Sequence, residues 1–225
     1  MKATRGSQKW LQIGVNQCPE ILNGAIRASA KMSEGTEIKW LSPLAAENYA
    51  EYRDQAFISR LGLKLRHRPL IDFWPARGPL WDGLAVTSTG ELLLVEAKAH
   101  IPEMVSPASK ASPPSLALIE KGLAETRQAL APRTTITWSG TFYQYTNRLA
   151  HLYFLRTLNS EKARLVFLYF VGDADVSGPD SRAEWDGAIQ VTEAYLGLGR
   201  HKLSSYVHHA FVDVNSFPKN FSVSD

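Results

Sequence analysis

Residues 81–98 of this 225-residue chain read WDGLAVTSTGELLLVEAK. The stretch contains two apolar-rich runs, Leu84–Ser88 and Glu91–Ala97, which are separated by Thr89-Gly90. Apolar runs of this length on either side of a short glycine-containing turn are typical of a β-hairpin. The second run leads into Glu96 and Lys98. Because charged side chains are rarely buried without a partner or a metal, this strand end indicates a functional site.

The length of the hairpin loop decides whether Asp82 and Glu96 share a face of the sheet. A two-residue loop at 89–90 would pair Asp82 with Ala97, and Asp82 would then point away from Glu96. A three-residue loop at 88–90 would place Asp82 directly opposite Glu96, on the same face. Such loops need a left-handed residue at their third position, which Gly90 provides without steric cost. A shared site therefore predicts a bulged turn at Gly90, or an equivalent kink near Gly83.

Glu96 and Lys98 are two residues apart in a strand, so their side chains emerge on one face while Ala97 points to the other. Two carboxylates and an ammonium group around one point suit a divalent cation and an activated water molecule. His100 shares this face if the strand continues beyond Lys98. The competing interpretation is a structural Asp–Lys or Glu–Lys ion pair at the end of the sheet.

An Asp, thirteen intervening residues and then Glu-Ala-Lys at a strand end resembles the motif of the PD-(D/E)xK, or restriction-endonuclease-like, nuclease superfamily. The resemblance covers roughly residues 43–171. It implies a Mg²⁺-dependent phosphodiesterase, with Mn²⁺ as a substitute, in which Asp82, Glu96 and Lys98 are catalytic. It also implies that Asp82, Glu96 and the carbonyl group of Ala97 hold the metal ion.

The resemblance extends to two residues on predicted helices. In many members a helical carboxylate before the core strands completes the metal site, and Glu51 matches that position better than Glu47. In several branches a Gln on the helix after the Glu-x-Lys strand faces the active site, which implies a catalytic role for Gln144. The chain departs from the pattern at Trp81, before the Asp, and at Arg148, where those branches carry a Tyr. We interpret Arg148 as a phosphate contact, and exposed helix polarity is the alternative for all of these helical residues.

The order of predicted elements supports the same fold class, α/β (α+β). We expect a restriction-endonuclease-like core, with a central mixed sheet of four to five strands flanked by helices in αβββαβ order. Residues 42–225 would form this domain, and residues 1–41 an N-terminal helical extension packed on it. The predicted helices are 7–30, 43–61, 115–131, 141–158 and Ser181–Leu196. The predicted strands are Ile38–Leu41, Leu70–Trp74, 83–88, 91–98, Arg164–Val171 and Tyr206–Val214. The Pro- and Ser-rich stretch 101–116 is expected to be a loop, either over the substrate or only on the surface.

The composition limits the alternatives. The net charge of +3 carries no global signal for nucleic acid. Cys18 is the only cysteine, which excludes an intramolecular disulfide and a cysteine-based zinc cluster. The longest apolar stretch, Leu165–Val171, is too short to span a bilayer, so we expect no membrane association and a cytoplasmic protein. A local basic stretch is predicted to contact phosphates. Its residues are Arg53, Lys64, Arg66 and Arg68, with Arg60 and His67. The alternative interpretation of this stretch is a solvated helix end and loop.

These features predict a metal-dependent nuclease, specifically a DNA endonuclease acting in restriction, repair or defence. The alternative is a non-catalytic nucleic-acid-binding or assembly module that retains the fold. Nucleic acid, DNA before RNA, is the expected partner. A homodimer is one way to provide the two active sites that double-strand cleavage requires.

Overall fold

A single five-stranded sheet organises the part of the chain that the computed structural model describes, residues 1–218. In spatial order its strands are β1 (Ile38–Ser42), β2 (Gly83–Thr87), β3 (Leu92–Lys98), β4 (Ala163–Val171) and β5 (Val207–Asp213). The β1–β2 and β2–β3 pairs are antiparallel, and the β3–β4 and β4–β5 pairs are parallel. The expectation of a mixed sheet flanked by helices is thereby confirmed.

Helices cover both faces of the sheet. They are α1 (Gly6–Gln17), α2 (Pro19–Ala30), α3 (Asp54–Arg60), α4 (Pro113–Leu130), α5 (Tyr143–Tyr153) and α6 (Arg182–Leu196). Helices α1 and α2 pack on one face, whereas the other four contribute to the core on the opposite face. After Tyr153, α5 continues as a π-helical turn over Phe154–Leu158, which together with α5 accounts for the predicted helix at 141–158.

The central strands are buried on both faces, as expected for parallel strands between two helical layers. Along β4, Leu165 and Phe167 enter the core beneath α4–α6, while Val166 and Leu168 enter the core beneath α1 and α2. Every residue of β3 is buried, including its two charged residues. The end of β3 therefore carries charge into the protein interior.

The hairpin between β2 and β3 has the predicted three-residue loop. Gly83 pairs with Val95, and this register continues to Thr87, whose N–H donates to the carbonyl of Glu91 at 2.9 Å. Gly90 adopts a φ of 77°, in the left-handed region that glycine enters without penalty. In the other direction the paired positions end at Gly83, and Asp82 lies at a bend directly before the strand.

The predicted helix at 43–61 is wrong for most of its length. Only Ala45–Glu47 forms a short 3₁₀ turn, and α3 begins at Asp54. Between them Asn48 and Tyr49 have φ values of 52° and 56°, which end any right-handed helix. Tyr52 then forms an isolated antiparallel bridge with Trp81. Pairing with the chain that enters β2 holds this segment extended, an interaction that local sequence periodicity does not report.

The predicted strand at Leu70–Trp74 is also wrong, because Leu70–Asp72 forms a 3₁₀ turn. Its apolar residues pack beneath α4 and α5, where Phe73 lies against Phe154 with ring centroids 5.1 Å apart. The place next to β2 is taken by β1, which the predicted strand Ile38–Leu41 anticipates. The predicted extension 1–41 thus supplies an edge strand of the sheet as well as helices.

The N-terminal stretch predicted as one helix at 7–30 forms two helices that meet at Cys18, because Pro19 occupies the first position of α2. The predicted loop at 101–116 contains a 3₁₀ turn at Ile101–Glu103 and ends where α4 begins at Pro113. Within residues 1–218, the helices lack the combination of length and apolarity required to cross a membrane.

We predict that Gly90→Ala lowers the free energy of unfolding by about 1 kcal/mol, because alanine in the left-handed region is strained. Space is not the cause, since nothing lies within 4 Å of a Cβ added there. Gly24→Ala, in the interior of α2 and equally open, is the matched control and should stabilise by up to about 1 kcal/mol. Urea unfolding of the three proteins tests this; equal shifts in both variants would contradict it.

Candidate active site

Asp82 precedes β2, and Glu96 lies near the end of β3. The β2–β3 ladder ends at the Gly83–Val95 pair, and Asp82 lies at the bend just before it, close enough to β3 to bond its backbone. The backbone N–H of Ala97 donates to Asp82 Oδ2 at 2.8 Å. This bond continues the pairing of the two strands beyond the last ladder position and fixes the Asp82 carboxylate against β3.

Glu96 is only 1% exposed and lies between two cations. The Lys98 ammonium group donates to Glu96 Oε1, and the Arg148 guanidinium donates to Oε2 at 2.5 Å. Lys98 also donates to Gln144 Oε1 at 2.8 Å. The structure therefore brings together the predicted catalytic residues Glu96, Lys98 and Gln144, and it adds an ion pair that the sequence interpretation did not assign to Arg148.

Arg148, the predicted phosphate contact, is buried and borders a cavity together with Asp82 and Gln144. It is 2% exposed, donates to the carbonyl of Leu80 at 2.7 Å, and lies 4.6 Å from the ring centroid of Trp81. His151, one helical turn further on, is buried among aromatic rings. The polar face of α5 thus points into the protein, and the alternative of an exposed polar helix face is wrong for Arg148.

Burial and neighbouring charges shift the pKa values of Asp82 and Glu96 in opposite directions. Burial, followed by the negative charge of Glu96, raises the pKa of Asp82 to about 7. Burial also disfavours ionisation of Glu96, but Arg148 and Lys98 outweigh it, and the pKa of Glu96 is lowered. The site therefore contains one firmly ionised carboxylate and one that exchanges protons near neutral pH, a pairing that is common at catalytic centres.

Glu51 reaches the site without the helix on which it was predicted. Because Tyr52 bridges Trp81 in antiparallel fashion, the preceding residue aligns with Asp82, and Glu51 borders the same cavity as Asp82. Burial and the charge of Glu96 raise the pKa of Glu51. Gln8 of α1 donates to its carboxylate at 2.9 Å. Glu47, the alternative, is directed elsewhere by an ion pair with Arg60.

The site offers the oxygen ligands that Mg²⁺ prefers, but its carboxylates do not all converge on one point. Among residues 1–218, no three His, Cys, Asp or Glu side chains converge on a point where a metal ion would fit. Asp82 and Ala97 border the cavity, and one oxygen of Asp82 forms no hydrogen bond within the same range. Because Mg²⁺ is usually held by one or two carboxylates with water and phosphate, this arrangement is sufficient if Glu96 exchanges its bond to Lys98.

Two cavities meet at Asp82 and Gln144. One, of about 610 Å³, is lined by Lys98 and by the first turn of α1; the other, of about 710 Å³, is lined by Leu80 and residues 105–110. Sequence analysis missed the residues that α1 and the 101–103 turn bring to their rim, namely Ser7, Gln8 and Glu103. No local pattern marks them, because their contacts join positions 43 to 96 residues apart.

The predicted basic stretch lies mostly away from the site. The backbone N–H groups of His67 and Arg68 donate to the side chain of Asn159. Asn159 follows Gln144 by 15 residues, which corresponds to a distance of roughly 22 Å along the helical segment. Arg68 is ion-paired with Glu125, whereas Lys64 and Arg66 are exposed in the loop after α3. Arg53, one residue past the bridge at Tyr52, is the exposed member of this set that lies nearest to Asp82 in the chain pairing.

Comparisons with known proteins returned no match to this chain, whether among protein-family models, curated proteins or solved structures. The proposed function is therefore based on the residues of the site and not on an assigned family.

The raised pKa of Asp82 predicts a pH-dependent stability difference between the parent and Asp82→Asn. An acid whose pKa rises on folding stabilises the native state at low pH, and this contribution is lost as pH rises through about 7. Asparagine imitates the protonated acid and still accepts from Ala97, so the variant should gain stability relative to the parent between pH 4 and 8. Urea unfolding across this range measures the difference. With exposed Asp72→Asn as control, a constant or shrinking gain would contradict the assignment.

Removing one cation from Glu96 should be costly. We predict that Arg148→Ala lowers the free energy of unfolding by about 3 kcal/mol, because a buried carboxylate loses half of its charge pairing. The matched control is Arg182→Ala, whose ion pair with Asp186 is on the surface and should contribute less than about 0.5 kcal/mol. Thermal and urea unfolding report both values, and similar losses in the two variants would rule out the buried pair as a stabilising element.

Proposed function

We propose that this protein is a metal-dependent nuclease that hydrolyses phosphodiester bonds, with DNA as the expected substrate. The observation that carries the proposal is the close approach of Asp82 to the end of β3, where it accepts a hydrogen bond from Ala97 and borders a cavity with Lys98, next to Glu96. This arrangement matches the chemistry that the motif resemblance implies. The mixed sheet with flanking helices is compatible with the expected fold class, whereas the expected first core helix and first core strand do not form as predicted.

Each residue has a distinct part in the proposal. Asp82, Glu96 and the carbonyl of Ala97 would hold Mg²⁺, and Glu51, which borders the same cavity as Asp82, would complete the metal site. When bound, Mg²⁺ supplies Lewis acidity and lowers the pKa of water. Lys98, held by Gln144, would orient the attacking water and offset the charge that develops on the phosphate oxygens.

The charge balance of the site explains why Arg148 belongs to it. A buried Glu96 needs a permanent cation, and a guanidinium remains charged at any physiological pH. With Arg148 on one oxygen of Glu96, Lys98 is free to exchange its own contact without leaving the carboxylate unpaired. Lys98 can therefore form an ion pair with Glu96 in the resting site and act in catalysis when it leaves that contact.

A second candidate, a non-catalytic nucleic-acid-binding or assembly module, is favoured by one observation. Both oxygens of Glu96 are already bonded to cations, so the site is electrostatically satisfied without an added metal ion. In that case the protein would bind nucleic acid with and without Mg²⁺ and would leave it intact.

Cleavage assays with plasmid and single-stranded DNA separate the two candidates. We expect cleavage by the parent in Mg²⁺ or Mn²⁺, none in chelator, and losses of at least about 100-fold in Asp82→Asn, Glu96→Gln and Lys98→Met. The matched control is Glu91→Gln, a partly buried and ion-paired glutamate at the other end of the same hairpin, which should retain activity.

Binding measurements on the same variants complete the test. Nucleic acid bound by the parent but never cleaved, under any divalent cation, would establish the second candidate. Equal cleavage by the parent and the three site variants would show that the activity lies elsewhere or in a contaminant.

A further inference from the structure

A histidine–carboxylate pair borders the site and has no role in the proposal above. Nδ1 of His100 lies 2.5 Å from Oε1 of Glu103, which belongs to the 3₁₀ turn directly after β3. The other Glu103 oxygen accepts a hydrogen bond from the hydroxyl group of Ser7 at 3.0 Å. Contacts at both oxygens, one from the strand end and one from α1, hold this carboxylate in a single orientation.

This contact defines the chemistry of the imidazole. An ionised carboxylate only accepts hydrogen bonds, so Nδ1 of His100 is the donor, and Nε2 on the opposite side of the ring is left to exchange a proton. Within residues 1–218, Nε2 forms no hydrogen bond. His100 lines the 610 Å³ cavity together with Asp82 and Lys98. The exchangeable nitrogen is therefore available to a molecule bound in that cavity.

The position of His100 suits the far side of a reacting phosphate. His100 lies two residues beyond the end of β3, where the chain bends, and it borders the same cavity as Asp82 and Lys98. In phosphoryl transfer the attacking and leaving oxygens lie roughly in line on opposite sides of phosphorus. With water activated beside Asp82 and Lys98, the leaving oxygen would lie on the other side of phosphorus, and His100 provides a proton donor at the border of this cavity.

We propose that the His100 imidazolium is the general acid that protonates the leaving oxygen of the scissile phosphodiester, with Glu103 and Ser7 as positioning residues. This inference rests on the proposed nuclease function. The water oxygen forms a bond to phosphorus and its released proton passes to solvent. The bond from phosphorus to the leaving oxygen breaks, its electron pair stays on that oxygen, and the oxygen takes the Nε2 proton. Solvent then reprotonates the imidazole.

A substrate whose leaving group needs no proton provides a specific test. Replacing the leaving bridging oxygen of an oligonucleotide by sulfur gives a thiolate, which departs far more readily than an alkoxide because thiols are much stronger acids. We expect His100→Gln to slow Mg²⁺-dependent cleavage of the oxygen substrate by about 100-fold and of the sulfur substrate by less than about 3-fold. Oligonucleotides with sulfur at the 3′ or the 5′ bridging position are tested separately.

Further variants distinguish a proton-transfer role from a structural one. Glu103→Gln should show a smaller loss, about 10-fold, that sulfur also removes, because the misplaced imidazole transfers its proton less efficiently. His201→Gln, at a histidine in the loop before β5 that borders neither cavity, is the control and should cleave both substrates like the parent.

The outcomes separate the two proposals. Equal losses on both substrates, or no loss in His100→Gln, would overturn the role of His100 and leave the nuclease intact. A parent protein that cleaves neither substrate in Mg²⁺ or Mn²⁺ would overturn the nuclease function, and the general acid with it. A loss confined to the oxygen substrate supports both.

Discussion

A carboxylate buried at the end of a central strand is the constraint on which this site depends. Glu96 cannot remain ionised in the interior without cations, and Lys98 and Arg148 provide them from the same strand and from α5. Arg148 is in turn bonded to the backbone at Leu80 and stacked over Trp81, at the entry to β2. One charge therefore joins β3, α5 and the start of β2, and it fixes the positions of the residues proposed to act in catalysis.

The charges around Glu96 also affect the pKa of Asp82. The charges of two carboxylates and two cations would cancel in this cluster. Burial and the negative charge of Glu96 nevertheless raise the pKa of Asp82 to about 7. A divalent cation at Asp82 would favour its ionised form and so reverse that rise. Protonation of Asp82 and metal binding would thus compete for the same carboxylate, which makes the site sensitive to pH in the neutral range.

The N-terminal helices do more than cover the sheet. Their apolar side chains fill the core beneath β3 and β4, and this packing fixes the first turn of α1 at the rim of the two cavities. From there Gln8 bonds Glu51, and Ser7 bonds Glu103. The region expected to be an appended extension thus contributes an edge strand, the helical layer on one face of the sheet and part of the site.

Local sequence determined the hairpin register, because Gly90 is suited to a three-residue loop and alternating burial makes a one-residue slip costly. It therefore determined that Asp82 and Glu96 lie near each other at one end of the hairpin, as well as the buried strand β4 and the helices α4 and α5. Tertiary structure decided what lies around them. It extended residues 50–52 by pairing Tyr52 with Trp81, folded Leu70–Asp72 into a turn, buried Arg148 against Glu96, and brought Ser7 to Glu103. These outcomes depend on contacts between residues far apart in the chain, whose free energies exceed the weak preferences of short segments.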